Sequence, residues 1–124
     1  MEYLVITDTK NDIIYEHPFF PENEYILSKL RLLVYSSIDI IEEYRNGIID
    51  YYMEYEITLY IMNCGYKIIF VSKWEGRQLK SFVEEIHKIF KNEIIKPLAP
   101  EYINFGKIRN EISIKYNEYK GLIV

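Results

Sequence analysis

The sequence predicts an α+β fold in which a five-stranded antiparallel sheet is accompanied by three helices, in the order ββαβββαα. Short runs rich in β-branched and aromatic residues, several with alternating polarity, indicate the strands. Longer runs with apolar residues every three or four positions indicate the helices. Turn residues and prolines separate these runs, and no low-complexity linker interrupts the 124 residues. We therefore predict a single domain over residues 1–124.

The first elements are a hairpin and a long helix. Residues 3–7 and 13–16 have strand composition and flank a polar turn at residues 8–12, and prolines then end the sheet pattern. From Glu22 the period becomes helical, and Gly47 lies beyond the predicted end of this helix. Its apolar stripe consists of Leu27, Leu30, Val34, Ile38, Ile41 and Tyr44.

Three more strands and two helices follow. Alternation between residues 49 and 62 predicts two strands that meet near Tyr55, and a tight turn at residues 63–65 leads into a third strand over residues 66–71. The second helix is predicted to end before Lys96-Pro97, because proline disfavours helical geometry in the residue preceding it. The stripes of the last two helices are Leu79, Phe82, Val83, Ile86, Phe90 and Ile94, and then Phe105, Ile108, Ile112, Tyr116 and Tyr119.

Composition and charge exclude several functions. The formal net charge of −4 gives no electrostatic reason to expect nucleic acid as a ligand. The apolar runs are much shorter than the roughly 20 residues of a membrane-spanning helix. Cys64 is the single cysteine, so no intramolecular disulfide can form, which favours a reducing, intracellular compartment.

No constellation in the sequence predicts catalysis, a metal or a cofactor. His17 and His87 are far apart and lack cysteines or carboxylates at ligand spacing. Cys64 lies in a predicted turn with no histidine placed to activate it. Glu84 and Glu85 are adjacent on a helix and project about 100° apart, so they cannot form a facing acid–base pair. We predict that the chain is not an enzyme.

Two features are candidates for binding a protein partner. Asp39 lies among apolar residues of the first helix, where an unpaired carboxylate must reach either solvent or a partner's donor. Tyr51, Tyr52, Tyr55 and Tyr60 form a tyrosine cluster. Tyrosine is enriched at interfaces, but strand propensity also explains such a cluster. From the residues alone, both interpretations remain open for each feature.

The sequence resembles the sedlin family over nearly its whole length. The resemblance is carried by residues 21–25, by Ser36-Ser37-Ile38-Asp39-Ile40-Ile41 in the first helix, by the opening Tyr-Leu-Val-Ile strand and by the hairpin at residues 63–71. The second helix and the Phe105-Gly-Lys-Ile108 segment are also similar. The family's Asn-Pro-aromatic element appears here as Lys96-Pro97-Leu98, without its Asn and its aromatic.

The resemblance implies a longin-like fold and a non-catalytic subunit of the TRAPP tethering and Rab-exchange complex in ER-to-Golgi transport. Its partners would be other TRAPP subunits and, indirectly, a Rab GTPase. The protein would be cytoplasmic and peripheral at ER and cis-Golgi membranes through the complex. An alternative is a longin-type small subunit of a vesicle coat adaptor. We expect the partner-binding residues to be Tyr35, Ser36, Asp39, Tyr51, Tyr52 and Tyr55.

Overall fold

The computed structural model describes residues 2–21, 23–39, 47–52, 54–62, 65–74, 76–94 and 104–122. They form five strands and three helices in the order ββαβββαα, which confirms the predicted fold class. The chain divides into two compact units, Met1–Lys73 and Trp74–Val124. The first unit contains the five described strands and the first helix, and the second contains the other two described helices. That residues 1–124 form a single domain stays a prediction.

The first unit is built on an antiparallel sheet with the strand order β2-β1-β5-β4-β3. The central strands β1 and β5 are buried at every residue, whereas β2 and β3 are the edges. This burial explains why β1 and β5 read as continuous apolar runs, which indicate strands covered on both faces. The strands are β1 Tyr3–Thr7, β2 Ile13–Pro18, β3 Gly47–Tyr52, β4 Tyr55–Ile61 and β5 Lys67–Ser72.

The turns of this sheet follow the predicted chemistry. In the β1–β2 turn the Asp8 carboxylate accepts the backbone N–H groups of Lys10 and Asp12, while Asn11 takes a φ of 67°. In the β4–β5 turn Gly65 has a φ of 91°, which an L side chain rarely adopts. Any Cβ at Gly65 would lie 3.0 Å from Thr9 Cγ2, so the two turns are closely packed.

Helix α1, Glu24–Asp39, packs on one face of the sheet. Its buried apolar residues are Leu27, Leu30, Val34 and Ile38, as the spacing predicts. Full burial of each such side chain contributes roughly 1.5–3 kcal/mol, which is how this helix is held. The predicted stripe residues Ile41 and Tyr44 lie outside the described residues. The strand residues in this cluster are Tyr3, Val5, Ile57, Leu59, Ile69 and Val71.

The second unit is a pair of helices, α2 Gly76–Ile94 and α3 Phe105–Leu122. The predicted stripes are buried at Phe82, Phe90, Ile108 and Ile112, each 0% exposed. Glu93 near the end of α2 pairs with Lys107 near the start of α3 at 3.4 Å. Towards the other end, the rings of Phe82 and Tyr119 are 5.6 Å apart. The two helices therefore run antiparallel.

Candidate interaction surface

The start of α1 is fixed by Asn23. Its side-chain oxygen accepts the backbone N–H groups of Tyr25 and Ile26 at 3.1 and 3.2 Å. This is the N-cap arrangement, which satisfies donors that have no partner inside the helix. The helical period predicted a start near Glu22 and did not identify this cap, although Asn is among the strongest N-cap residues.

An ion pair fixes the side of α1 that lies towards β2. The Arg31 guanidinium donates to both carboxylate oxygens of Glu16 at 2.9 and 2.5 Å, and the Tyr3 hydroxyl donates to the same carboxylate at 2.6 Å. The hydrogen bond with Glu16 raises the pKa of Arg31, and burial followed by the same carboxylate raises the pKa of Tyr3. The bidentate geometry restricts rotation of α1 about its axis. We call this group, Tyr3, Glu16 and Arg31, the clamp.

Rotation fixed in this way leaves one face of α1 exposed. Leu32 is 68% exposed and Tyr25 is also 68% exposed, so two large apolar side chains of this helix are accessible to a partner. Five exposed residues, beginning with Tyr25, are spaced alternately four and three positions apart along α1, so they share one face. We call this face the outer face of α1; its residues are Tyr25, Lys29, Leu32, Ser36 and Asp39.

A groove of about 270 Å³ opens on the outer face. Its floor and walls are mainly leucine side chains, and Lys29 and Ser36 stand at its ends. The Lys29 ammonium lies 4.3 Å from the Tyr25 ring centroid, one turn towards the N-terminus of the helix. The groove lining is thus apolar in its middle and polar at its ends. It consists of Lys29, Leu30, Leu32, Leu33 and Ser36.

A second exposed apolar pair lies on edge strand β3. Ile48 and Tyr51 are three residues apart, so strict alternation along the strand would place them on opposite faces of the sheet. Their partners on β4, Thr58 and Glu56, are two residues apart and therefore share one face. The register shift between Ile48 and Asp50 restores a common face, because a bulge inserts one extra residue. Since Ile57, beside Glu56, belongs to the α1-side core, this common face is the one opposite α1.

The structure therefore separates the predicted partner-binding residues. Ser36 and Asp39 lie on the outer face of α1, and Tyr35, 37% exposed, lies at its β2 flank, where its hydroxyl accepts the Ile13 N–H at 3.5 Å. Tyr51 is exposed on the other side of the sheet. Tyr55 instead packs against the α1-side core. The side chain of Tyr52 lies outside the described residues.

Sequence reasoning missed the apolar members of the outer face. Leu32 and Tyr25 do not belong to the buried stripe of α1, so each is an apolar residue at a position where a surface helix normally has a polar one. That mismatch could have been recognised from the sequence. The clamp could not have been predicted, because it joins residues from three separate elements.

The remaining chemistry of the described residues is limited. Burial, and then the nearby Lys91 ammonium, lower the pKa of His87, which is half-buried on α2. Among the described residues, no three His, Cys, Asp or Glu side chains are grouped as a metal site requires. Within the same ranges, none of the helices combines the length and apolar character needed to cross a membrane. Cys64 lies outside them.

Fold and surface together define a class: a small longin-like α+β domain whose first helix has an exposed face with apolar side chains. Comparison with known families agrees. A family model described as Sedlin matches residues 6–113, which is most of the chain, and the chain belongs to the sedlin family. The members of this family are non-catalytic, TRAPP-type vesicle-trafficking subunits. No individually curated protein matches the chain.

Proposed function

We propose that this chain is a subunit of the TRAPP tethering and Rab-exchange complex in ER-to-Golgi transport, and that it acts by docking other subunits without catalysing a reaction. In this role it reaches ER and cis-Golgi membranes, and a Rab GTPase, only through the complex. Family membership supports the assignment to a trafficking assembly. The single observation that carries the docking role is the outer face of α1, centred on the exposed Leu32.

The free energy for docking comes from burying apolar surface. Moving a leucine side chain such as Leu32 from water into an interface contributes roughly 1.5–3 kcal/mol. Tyr25 offers a large ring with a polar tip, a combination enriched at binding hot spots. These two side chains supply a substantial share of the affinity of a stable subunit contact.

Edge strand β3 extends the proposed docking region. Tyr51 is 63% exposed and Ile48 is 48% exposed, and no described strand pairs with the outer side of β3. Because the outer face of α1 and this pair lie on opposite sides of the sheet, a partner that contacts both must wrap around the β3 edge. Two partners could alternatively divide these surfaces between them.

Co-expression tests the proposal. The chain is co-expressed with individual TRAPP subunits and, in parallel, with large subunits of vesicle coat adaptors. We expect at least one TRAPP subunit, and no adaptor subunit, to co-purify. Capture by an adaptor subunit alone would replace the proposal with a coat function, and failure of every TRAPP subunit to co-purify would contradict it.

A matched pair of variants links capture to the outer face. Leu32→Asp places a charge at the centre of the outer face, and we expect it to reduce capture at least about 10-fold, as loss of a hot spot does. Ile114→Asp makes the same kind of change on α3, where Ile114 is 58% exposed, and serves as the control. Equal capture by both variants would place the docking surface elsewhere.

A further inference from the structure

The groove on α1 has the composition of a socket for one side chain of another helix. Four of its residues, Lys29, Leu32, Leu33 and Ser36, stand at positions i, i+3, i+4 and i+7. When two helices pack side by side, a knob from one enters a hole bounded by four residues of the other, and neighbours on a helix surface are three and four apart. Leu30, which is buried, lies beneath this hole.

The residues around the groove give this socket its width. Ser36 is small and leaves space that a larger residue would fill. The Lys29 ammonium lies over the Tyr25 ring, so the charged end of that side chain is directed towards the N-terminus of the helix and away from Ser36. The opening is therefore bounded by a small residue at one end and by the stem of a lysine at the other.

The charges along the outer face set a second requirement for the partner, in addition to a side chain that fits the socket. Lys29 supplies a positive charge near the start of α1, and Asp39 a negative charge at its end. The last turn of α1 has no basic residue, although a helix C-terminus favours positive charge. No hydrogen bond or ion pair joins Asp39 to the residues that the structure describes. Asp39 lies about 10 Å along the axis from the middle of the groove, at a rise of about 1.5 Å per residue.

We infer that the outer face of α1 receives a helix of its partner, which inserts one bulky apolar side chain between Lys29, Leu33 and Ser36 and presents a Lys or Arg to Asp39. The distance along the axis places that basic residue about two turns from the inserted side chain. This inference rests on the proposed function and specifies the chemistry of the partner: an amphipathic helix with an apolar knob and a basic residue at a spacing of about seven.

Substitutions at Ser36 test the socket. With the TRAPP subunit that co-purifies with the wild type, we expect Ser36→Trp to weaken binding at least about 30-fold, the size of a strong hot spot, while Ser36→Ala stays within about 3-fold of the wild type. Asn110→Trp, at an exposed position of α3, controls for a tryptophan on an exposed helix and should also stay within about 3-fold. Binding is measured by titration calorimetry, and folding by far-UV circular dichroism.

The outcomes separate the inference from the proposed function. If Ser36→Trp binds like the wild type, the socket is wrong while the TRAPP assignment stands. If Ser36→Ala weakens binding as much as Ser36→Trp, the serine hydroxyl and not the cavity is the contact, and the socket is again wrong. If no TRAPP subunit binds the wild type, the proposed function fails and the inference fails with it.

The charged contact and the helical partner are tested independently. Asp39→Lys should weaken binding about 10-fold and Glu84→Lys, an exposed position on α2, should not; equal effects would overturn the charge contact. A compact diazirine amino acid at Leu32 should cross-link to partner residues spaced three, four or seven apart. Adducts spaced two apart would indicate a strand and would overturn the helix.

Discussion

The two edges of the sheet differ in how the chain itself covers them. On β2 the N–H of Ile13 is bonded by Tyr35, Pro18 has no N–H to offer, and Glu16 is held by the clamp. Prolines and inward-facing charges are devices that keep an edge strand from pairing with another chain. The β2 edge is thus closed by residues of this molecule.

On β3 the chain uses a different arrangement. Its bulge brings Ile48 and Tyr51 to one face, where both are exposed. Bulges can protect an edge, but this one gathers apolar side chains and does not replace them with charged ones. The molecule thus stabilises itself at β2 and keeps apolar surface available at β3 and on α1. Substitutions at the β2 edge should therefore reduce stability, and substitutions at β3 or on the outer face of α1 should reduce binding.

The largest effect on stability is expected from breaking the clamp. Arg31→Met leaves the half-buried Glu16 carboxylate without its cation, and we expect a loss of about 2 kcal/mol in the free energy of unfolding, less than for a fully buried pair because both side chains are partly exposed. Lys29→Met, on the exposed side of the same helix, should change stability by less than about 0.5 kcal/mol. Urea denaturation measures both, and equal losses would contradict the role of the clamp.

A smaller loss is expected in the turns at the end of the sheet. Gly65→Ala forces an L residue into a φ of 91° and places its Cβ 3.0 Å from Thr9, so we expect a cost of about 1–2 kcal/mol. Gly121→Ala on α3 meets no neighbouring atom and is the control. A thermal melt that shows no difference between the two variants would mean that the turns are not closely packed.

Substitutions on β3 should hardly affect stability. Ile48→Ser and Tyr51→Ser remove exposed side chains, so we expect changes within about 0.5 kcal/mol in urea denaturation. Capture of the TRAPP subunit should fall in the same variants. A stability loss similar to that of Arg31→Met would show that Ile48 and Tyr51 stabilise the fold as the β2 edge does, and would contradict a β3 surface kept for binding.

The smallest effect concerns Glu54, which joins the β3–β4 connection to Lys73 at 2.7 Å. A hydrogen bond with Lys73, and then its charge, lower the pKa of Glu54 below its ordinary value of 4.5. A lowered folded pKa means that the stabilisation is present above pH 4.5 and is lost as the pH falls through the lowered value. Since Glu54 is exposed, the contribution is small.

An NMR titration of the Glu54 carboxyl carbon checks this shift. The midpoint should lie below 4.5 in the wild type and return towards 4.5 in Lys73→Gln. Identical midpoints in the two proteins would mean that the pair does not form in solution.

Local patterns in the sequence predicted the elements well. The spacing of Leu27, Leu30, Val34 and Ile38 predicted the buried side of α1, and Gly65 predicted a turn before β5, where it has a φ of 91°. Residues 63 and 64 of that predicted turn lie outside the described residues. What could not be predicted depends on pairs distant in sequence. The clamp joins Arg31 to Glu16 across 15 positions, and the bulge at β3 exists only relative to its partner strand. The tyrosines could be recognised as a cluster, but their separation onto different surfaces required the register.

Hydrogen–deuterium exchange of the chain, alone and bound to its TRAPP subunit, tests most directly whether α1 and β3 form the docking region. Binding should slow exchange in the segments that contain α1, residues 24–39, and β3, residues 47–52, and leave β2, residues 13–18, unchanged. Slower exchange in β2, with α1 and β3 unaffected, would contradict a docking region formed by α1 and β3.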